Sequence, residues 1–278
     1  TLYPYSWYLD SSAGRWSALL TDDYRMVMPL PWKRKMGIRY LYHPLYTQQL
    51  GGFSDGFVDP LVISRLLREG YRRYRLGGLQ FNTANLVGEQ EGFRVKDRAN
   101  YVLPLDRSYA EIAEDFSQNT KRNLKRAGEM GDRLKREMDC SELVNFKRRY
   151  DVIRRSENDY RWLTAHLEKI LHRKQGKIYA LRRGDEILAS AFFGFSRSRA
   201  LYLVSASSEA GKERRSMFRI IDTFIRDHAG SSLQLDFEGS DIPSLARFFR
   251  GFGAQSRTYQ QVLFNRLPRM IRKLQGYG

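Results

Sequence analysis

Strand-like runs rich in aromatic and β-branched residues alternate along the chain with segments in which apolar positions recur every three to four residues. That is the pattern of a mixed α/β (α+β) protein. It predicts strands near 16–20, 24–31, 38–46, 78–82 and 100–105. A helix is predicted over 59–73, where "DPLVISRLLREGYRR" puts Leu61, Ile63, Leu66 and Leu67 roughly on one stripe. The second half predicts helices at 108–128, 141–155 and 160–174, then strands at 177–183, 186–195 and 200–206. A helix at 215–229, a strand at 233–237, a helix at 243–251 and a strand at 257–264 follow.

The two halves match each other in order. "WSALLTDDYRMVMPL" (16–30) has the hairpin rhythm of "IYALRRGDEILASAF" (178–192), "LYHPLYTQQLGG" (41–52) lines up with "LYLVSASSEAGK" (201–212), and "LQFN" (79–82) with "LQLD" (233–236). Matches in one order at a nearly constant offset point to a duplicated domain. The boundary falls at the polar stretch "KDRANY" (96–101), giving an N-terminal domain over 1–98 that opens in mid-pattern and a C-terminal domain over 99–278. The last residues of the second are expected to form a helix packing back on the first.

Composition narrows the partners. The net charge is +17, from 48 Lys+Arg against 31 Asp+Glu, which favours a polyanion: nucleic acid, a phosphorylated cofactor or an anionic lipid surface. From Arg247 to the end the chain carries seven Lys/Arg and no acid. The apolar run "ILASAFFGF" (187–195) is about half the ~20 residues of a membrane-spanning helix. A single cysteine, Cys140, excludes an internal disulfide and a CxxC metal site, so the expectation is a cytoplasmic protein without a metal, at most peripheral to a membrane.

Candidate chemistry concentrates in the second half. A strand, a loop and a helix in that order make a recurrent anion site, because the helix N-terminus presents unpaired N–H groups. "SSEAGKERRSMFRII" offers Gly211 for close backbone approach, with Lys212, Arg214, Arg215 and Ser216 around it. The matching first-half segment carries Asp55 and Asp59, which would repel phosphate. Downstream, "SLQLDFEGSD" places Leu233, Leu235 and Phe237 on one face of a strand and Asp236 and Glu238 on the other, where a general base would sit; a structural role for both stays open. Asp241 or Ser240 reads as the N-cap of the next helix. In the first half, Tyr42, His43, Tyr46, Gln48 and Gln49 suit an amine- or peptide-bearing acceptor. The basic helix predicted over 118–137 pairs Lys121 with Lys125 and Arg122 with Arg126 at i,i+4, a face that an anion would cover; a merely solvated face stays open.

"YVLPLDRSYAEIAEDFSQNTKRNLKRA" (101–127), then "LYLVSASSE" and "LDFEGSDIPSLARFFRGFGA", resemble the second half of FemABX-like proteins and their kin in the GNAT acyltransferase superfamily. The resemblance implies two tandem GNAT-like domains, each a mixed, mostly antiparallel sheet flanked by helices. It implies acyl or aminoacyl transfer to an amine, from an acyl-CoA or, in FemABX members, from aminoacyl-tRNA to a cell-wall precursor. It further implies a splayed strand holding the donor arm near Val204, Ser205, Ala206 and Ser207, with Gly211 to Ser216 at the phosphorylated end. "SEAGKERR" has one glycine where the usual GNAT phosphate motif is richer, and Phe248 and Phe249 stand on the helix where a catalytic tyrosine would be sought. Two non-catalytic readings, a nucleic-acid-binding protein and a scaffold, remain beside the enzyme, although no RNP, KH, zinc-finger or helix-turn-helix signature supports the first.

Overall fold

The structure, a computed structural model, describes residues 1–268 apart from 152 and 240. In chain order its elements are α1 (Ser6–Ser12), β1 (Trp16–Leu20), β2 (Met26–Lys35), β3 (Ile38–Leu41), β4 (Phe53–Ser54), α2 (Pro60–Arg73) and β5 (Leu76–Gln80). Then come β6 (Arg94–Pro104), α3 (Tyr109–Glu114), α4 (Gln118–Glu129), β7 (Arg133–Lys135), α5 (Cys140–Tyr150), α6 (Glu157–His172), β8 (Gly176–Arg183) and β9 (Glu186–Phe195). The chain finishes with β10 (Arg199–Ser207), α7 (Glu209–Glu213), α8 (Ser216–His228), β11 (Gln234–Asp236), α9 (Pro243–Gly251) and β12 (Gln255–Asn265).

The chain divides into two compact units, one of Leu2–Ala99 with the described residues from Arg257 on, the other of Thr1 with Asn100–Ser256. In the first, the strands run β1-β2-β3-β5-β12 with β4 beside β2; in the second, β6-β11-β10-β9-β8-β7. The ladders follow the same order in both units. Each unit has an antiparallel hairpin (β1–β2, β8–β9), a third antiparallel strand (β3, β10) and a helical crossover to a parallel strand (β5, β11). An antiparallel strand then follows, β12 beside β5 and β6 beside β11. Strand β12 was expected inside the C-terminal domain; instead Gln261–Asn265 pair with Gln80–Leu76 and extend the sheet of the other unit. The expected C-terminal helix lies outside the described residues.

Local chemistry sets most boundaries. Helix α2 buries Ile63, Leu66 and Leu67 but not Leu61, 75% exposed, which at the second helical position lies off the stripe. The helix expected over 108–128 is two helices, because Ser108 forms a capping box with Glu111 and Ser117 then caps a new start at Gln118, accepting from the Thr120 N–H. The basic segment does not stay helical to 137: Gly131 at φ +67 ends the run, and Arg133–Lys135 turn into an edge strand on β8. Strand β9 is buried on both faces, with Phe193 stacked on Phe224 of α8 at 3.8 Å between centroids. Burying a ring of that size contributes about 2 kcal/mol.

Candidate active site

In the second unit β10 and β11 pair in parallel over only three positions, Arg199, Ala200 and Leu201 against Gln234, Leu235 and Asp236. Beyond them β10 stays with β9 as far as Ser207, while the chain after β11 stays with β6, Phe237 N–H donating to Tyr101 O at 2.9 Å. The two strands therefore part, and among the described residues no strand of the unit covers the β11-side edge of β10 from Tyr202 to Ser207. A register shift between Tyr202 and Val204 puts a bulge at the start of that edge. Val204, Ser205, Ala206 and Ser207, the predicted donor-arm residues, lie on it.

The bulge also sets the faces. Tyr202 pairs with Phe193 and Ser205 with Ala191, so both point to the side of α8, whereas Val204 and Ala206 pair with Phe192 and Ser190 on the opposite side. Tyr202 packs edge-on to Phe237, at 6.1 Å between centroids, and to Phe249 at 6.3 Å. Desolvation raises its phenol well above the ordinary tyrosine range, and a hydrogen bond with Ser205 offsets part of the shift. The hydroxyl is thus held protonated, as a donor. The sequence reading missed Tyr202; its signal was a phenol two residues ahead of the predicted splay. Helix α9 carries no tyrosine: Phe249 stacks on Phe237 at 4.8 Å and Phe248 lies against Phe218.

The loop after β10 only partly matches its expected role. Gly211 is buried and its N–H donates to Ser208 Oγ, while a Cβ there would stand 1.9 Å from Leu188 O. The close approach that requires glycine is to β9, not to a ligand. Lys212 pairs with Glu209 at 2.7 Å, and Arg214 makes a two-pronged bond to the buried Asp132. Arg215 and Ser216 differ. Arg215, at φ +60, is the N-cap of α8 and provides no side-chain cap; Phe218 N–H donates to its carbonyl at 3.0 Å, and no cap side chain takes the N–H groups before it in this 13-residue helix. The Ser216 hydroxyl is fully buried at the same terminus without a hydrogen-bond partner, as is the Arg215 Nε. Buried polar atoms are usually satisfied, so these groups mark a place for an acceptor.

The first unit closes both features. After Leu41 the chain leaves the sheet and returns at Leu50, which bridges to Phe81, with Leu50 N–H donating to Gln80 O at 2.7 Å. Asn82, matching Asp236 in the repeat, donates to Leu50 O and Gly52 O at 3.0 and 2.9 Å. Helix α2 is capped by its own Asp59, whose side chain accepts from Leu61 N–H.

Asp236 is buried and committed: Arg199 Nη1 donates to it at 2.6 Å and the Glu238 N–H at 2.9 Å. Glu238 lies past the strand at φ +61, so the alternation predicted to align it with Asp236 stops before it. A non-glycine residue held there is strained, a state that persists where its surroundings impose it. Helix α9 is entered at Ile242, with Pro243 at its first position, so the N-cap position falls on Ile242 and not on Asp241; Ser240 is outside the described residues.

Of the predicted acceptor residues, Tyr42 donates to Ala13 O at 2.7 Å, and Gln49 Nε2 donates to Gln48 Oε1 at 2.8 Å. Tyr46, at φ +54, accepts through its carbonyl from the Tyr8 hydroxyl. His43 has both ring nitrogens buried without a partner in hydrogen-bond geometry, and burial lowers its pKa to about 4, against a smaller opposing effect of the Thr47 and Gln48 backbone. On α4, Lys121, Arg122, Lys125 and Arg126 are exposed as predicted, Lys121 donating to Glu114 O. Among the described residues no group of three or more His, Cys, Asp or Glu is placed to hold a metal, and no helix is long and apolar enough to cross a membrane.

Residues 114–235 match the family described as an acetyltransferase (GNAT) domain. No curated protein matches the chain. Among solved structures, FemX matches 99% of this chain and 94% of its own at 11% identity, with a TM-score of 0.64. L-PGS from Bacillus licheniformis matches over 96% and 92% at 11% identity and TM-score 0.53. A GCN5-related N-acetyltransferase from Kribbella flavida matches over 95% and 94% at 10% identity and TM-score 0.52. The likeness is one of fold: the chain has a FemABX-like GNAT fold.

Proposed function

We propose that this FemABX-like GNAT fold transfers an acyl group from a phosphorylated thioester donor, an acyl-CoA, to an amine. One observation carries the reading: the open edge of β10 leads to an uncapped α8, whose terminus holds the partnerless, buried Ser216 hydroxyl. The donor's phosphates take the Ser216 hydroxyl, the terminal N–H groups of α8 and Arg215 as donors. Its arm lies along Leu203–Ser207, where backbone N–H groups face the developing oxyanion.

The amine nitrogen then attacks the carbonyl carbon; a C–N bond forms, the C–S bond breaks, and the sulfur leaves with the electron pair. The amine proton passes through water to Glu238, and the neutral Tyr202 phenol donates a hydrogen bond to the leaving sulfur, which departs as the thiolate. Acid–base assistance of this kind contributes about 10²–10⁴ in rate. Asp236, tied to Arg199, holds the closed end of the fork.

A second donor, aminoacyl-tRNA, is favoured by the exposed Arg122, Lys125 and Arg126, which make no ion pair among the described residues. A thermal-shift panel separates the two. Acetyl-CoA or longer acyl-CoAs should raise the Tm of the wild type and not of Arg215→Glu; a rise with charged tRNA alone supports the second donor. No shift with either overturns the donor site.

A further inference from the structure

We propose that the β2–β3 hairpin of the first unit is a docking finger for an anionic lipid bilayer. From Tyr24 to Ser54 the chain carries Arg25, Lys33, Arg34, Lys35 and Arg39 and no Asp or Glu. Arg25 pairs with Asp23, but the other four, all exposed, make no ion pair among the described residues; Arg34 Nε donates to Gly37 O at 3.2 Å. The ladder puts Arg34 directly opposite Arg39 on one face, while Lys33 faces Tyr40 and Lys35 faces Ile38 on the other. Like charges opposite each other destabilise a hairpin. The arrangement is relieved when an anion covers it.

The turn joining the strands is Met36–Gly37, with φ of +48 and +80, and the Met36 side chain is 91% exposed. A left-handed turn favours Asn or Gly, so an exposed apolar methionine there is unfavourable in water. At the root, the guanidinium groups of Arg15 and Arg39 lie over the Trp32 ring, 5.8 and 5.7 Å from its centroid. Lys33 Nζ stands 4.2 Å from the Tyr42 ring centroid.

An apolar tip with a collar of cations on both faces, above an indole, matches a headgroup layer that surrounds the finger on all sides. A nucleic-acid strand would lie along one face, reward stacking aromatics there and gain nothing from Met36. The bilayer is therefore the occupant that the geometry favours, and it is independent of the donor site.

The test is co-sedimentation of the whole chain with phosphatidylcholine vesicles, with and without about one third phosphatidylglycerol, below physiological salt. Binding is expected only with the anionic lipid and should fall as salt rises. Lys33→Glu/Lys35→Glu should weaken it more than tenfold, since each cation near the surface is worth about 1 kcal/mol, or roughly fivefold. Met36→Asp should weaken it as well, and both variants should keep the wild-type Tm because these side chains are exposed. Equal binding to neutral vesicles, unchanged binding by the variants, or RNA binding through these residues without vesicle binding would each overturn the proposal.

Discussion

Arg199 Nη1 lies 2.6 Å from Asp236 Oδ2, tying the first residue of β10 to the last residue of β11 across the closed end of the fork. The carboxylate side chain is 4% exposed, so the pair works as a buried clasp. Removing Arg199 leaves an uncompensated charge. Arg199→Leu should cost about 3 kcal/mol in chemical denaturation, and Arg199→Leu/Asp236→Leu should recover most of it. If the double variant also transfers acyl groups at the wild-type rate, Asp236 is no base.

Gly211→Ala should destabilise the second unit by about 1–3 kcal/mol, because its Cβ meets the Leu188 carbonyl, a backbone atom that cannot rotate away. A denaturant midpoint equal to wild type would show that β9 yields there.

Tyr202→Phe retains the ring contacts with Phe237 and Phe249 and deletes only the hydroxyl. The expected outcome is a loss of about 10²-fold or more in kcat, with KM and Tm near wild type. An unchanged kcat would leave the phenol as packing alone.

His43 in the first unit and His166 in the second both have pKa values lowered to about 4 by burial. A folded-state value below the unfolded one means that the unfolded chain binds the proton first. The stability is fully present above about 6.5 and is lost as pH falls towards about 4. At about 1.4 kcal/mol per unit, each histidine accounts for about 3 kcal/mol, to be read as denaturant midpoints between pH 7 and pH 4.5. His43→Gln should flatten that dependence for the first unit; an unaltered slope would place its origin elsewhere.

Lys125→Glu/Arg126→Glu removes no ion pair among the described residues, so Tm should not change. If charged tRNA is the donor, its affinity should drop and the slope of log K against log salt should shrink by about 0.7–0.9 per lost phosphate contact, measured by filter binding.

What the sequence determined was what depends on near neighbours. Period-two and period-3.6 patterns fix side-chain faces within an element, so the hairpins, β10, α8 and the order common to both units were legible, as was the exposed basic face of α4. The caps that divide α3 from α4 are local too, but the single helix expected over 108–128 passed over Ser117.

Tertiary structure alone decided the rest, because a charged or polar group is defined by the partner that the folded chain brings to it. Asp236 read as an open carboxylate until Arg199, 37 residues earlier, was placed against it. Arg214 read as a phosphate ligand until Asp132, 82 residues away, took its guanidinium. The destination of β12, the end of the β10–β11 ladder at Leu201 and the solitary Ser216 hydroxyl follow from long-range closure of the sheet, which no local spacing encodes.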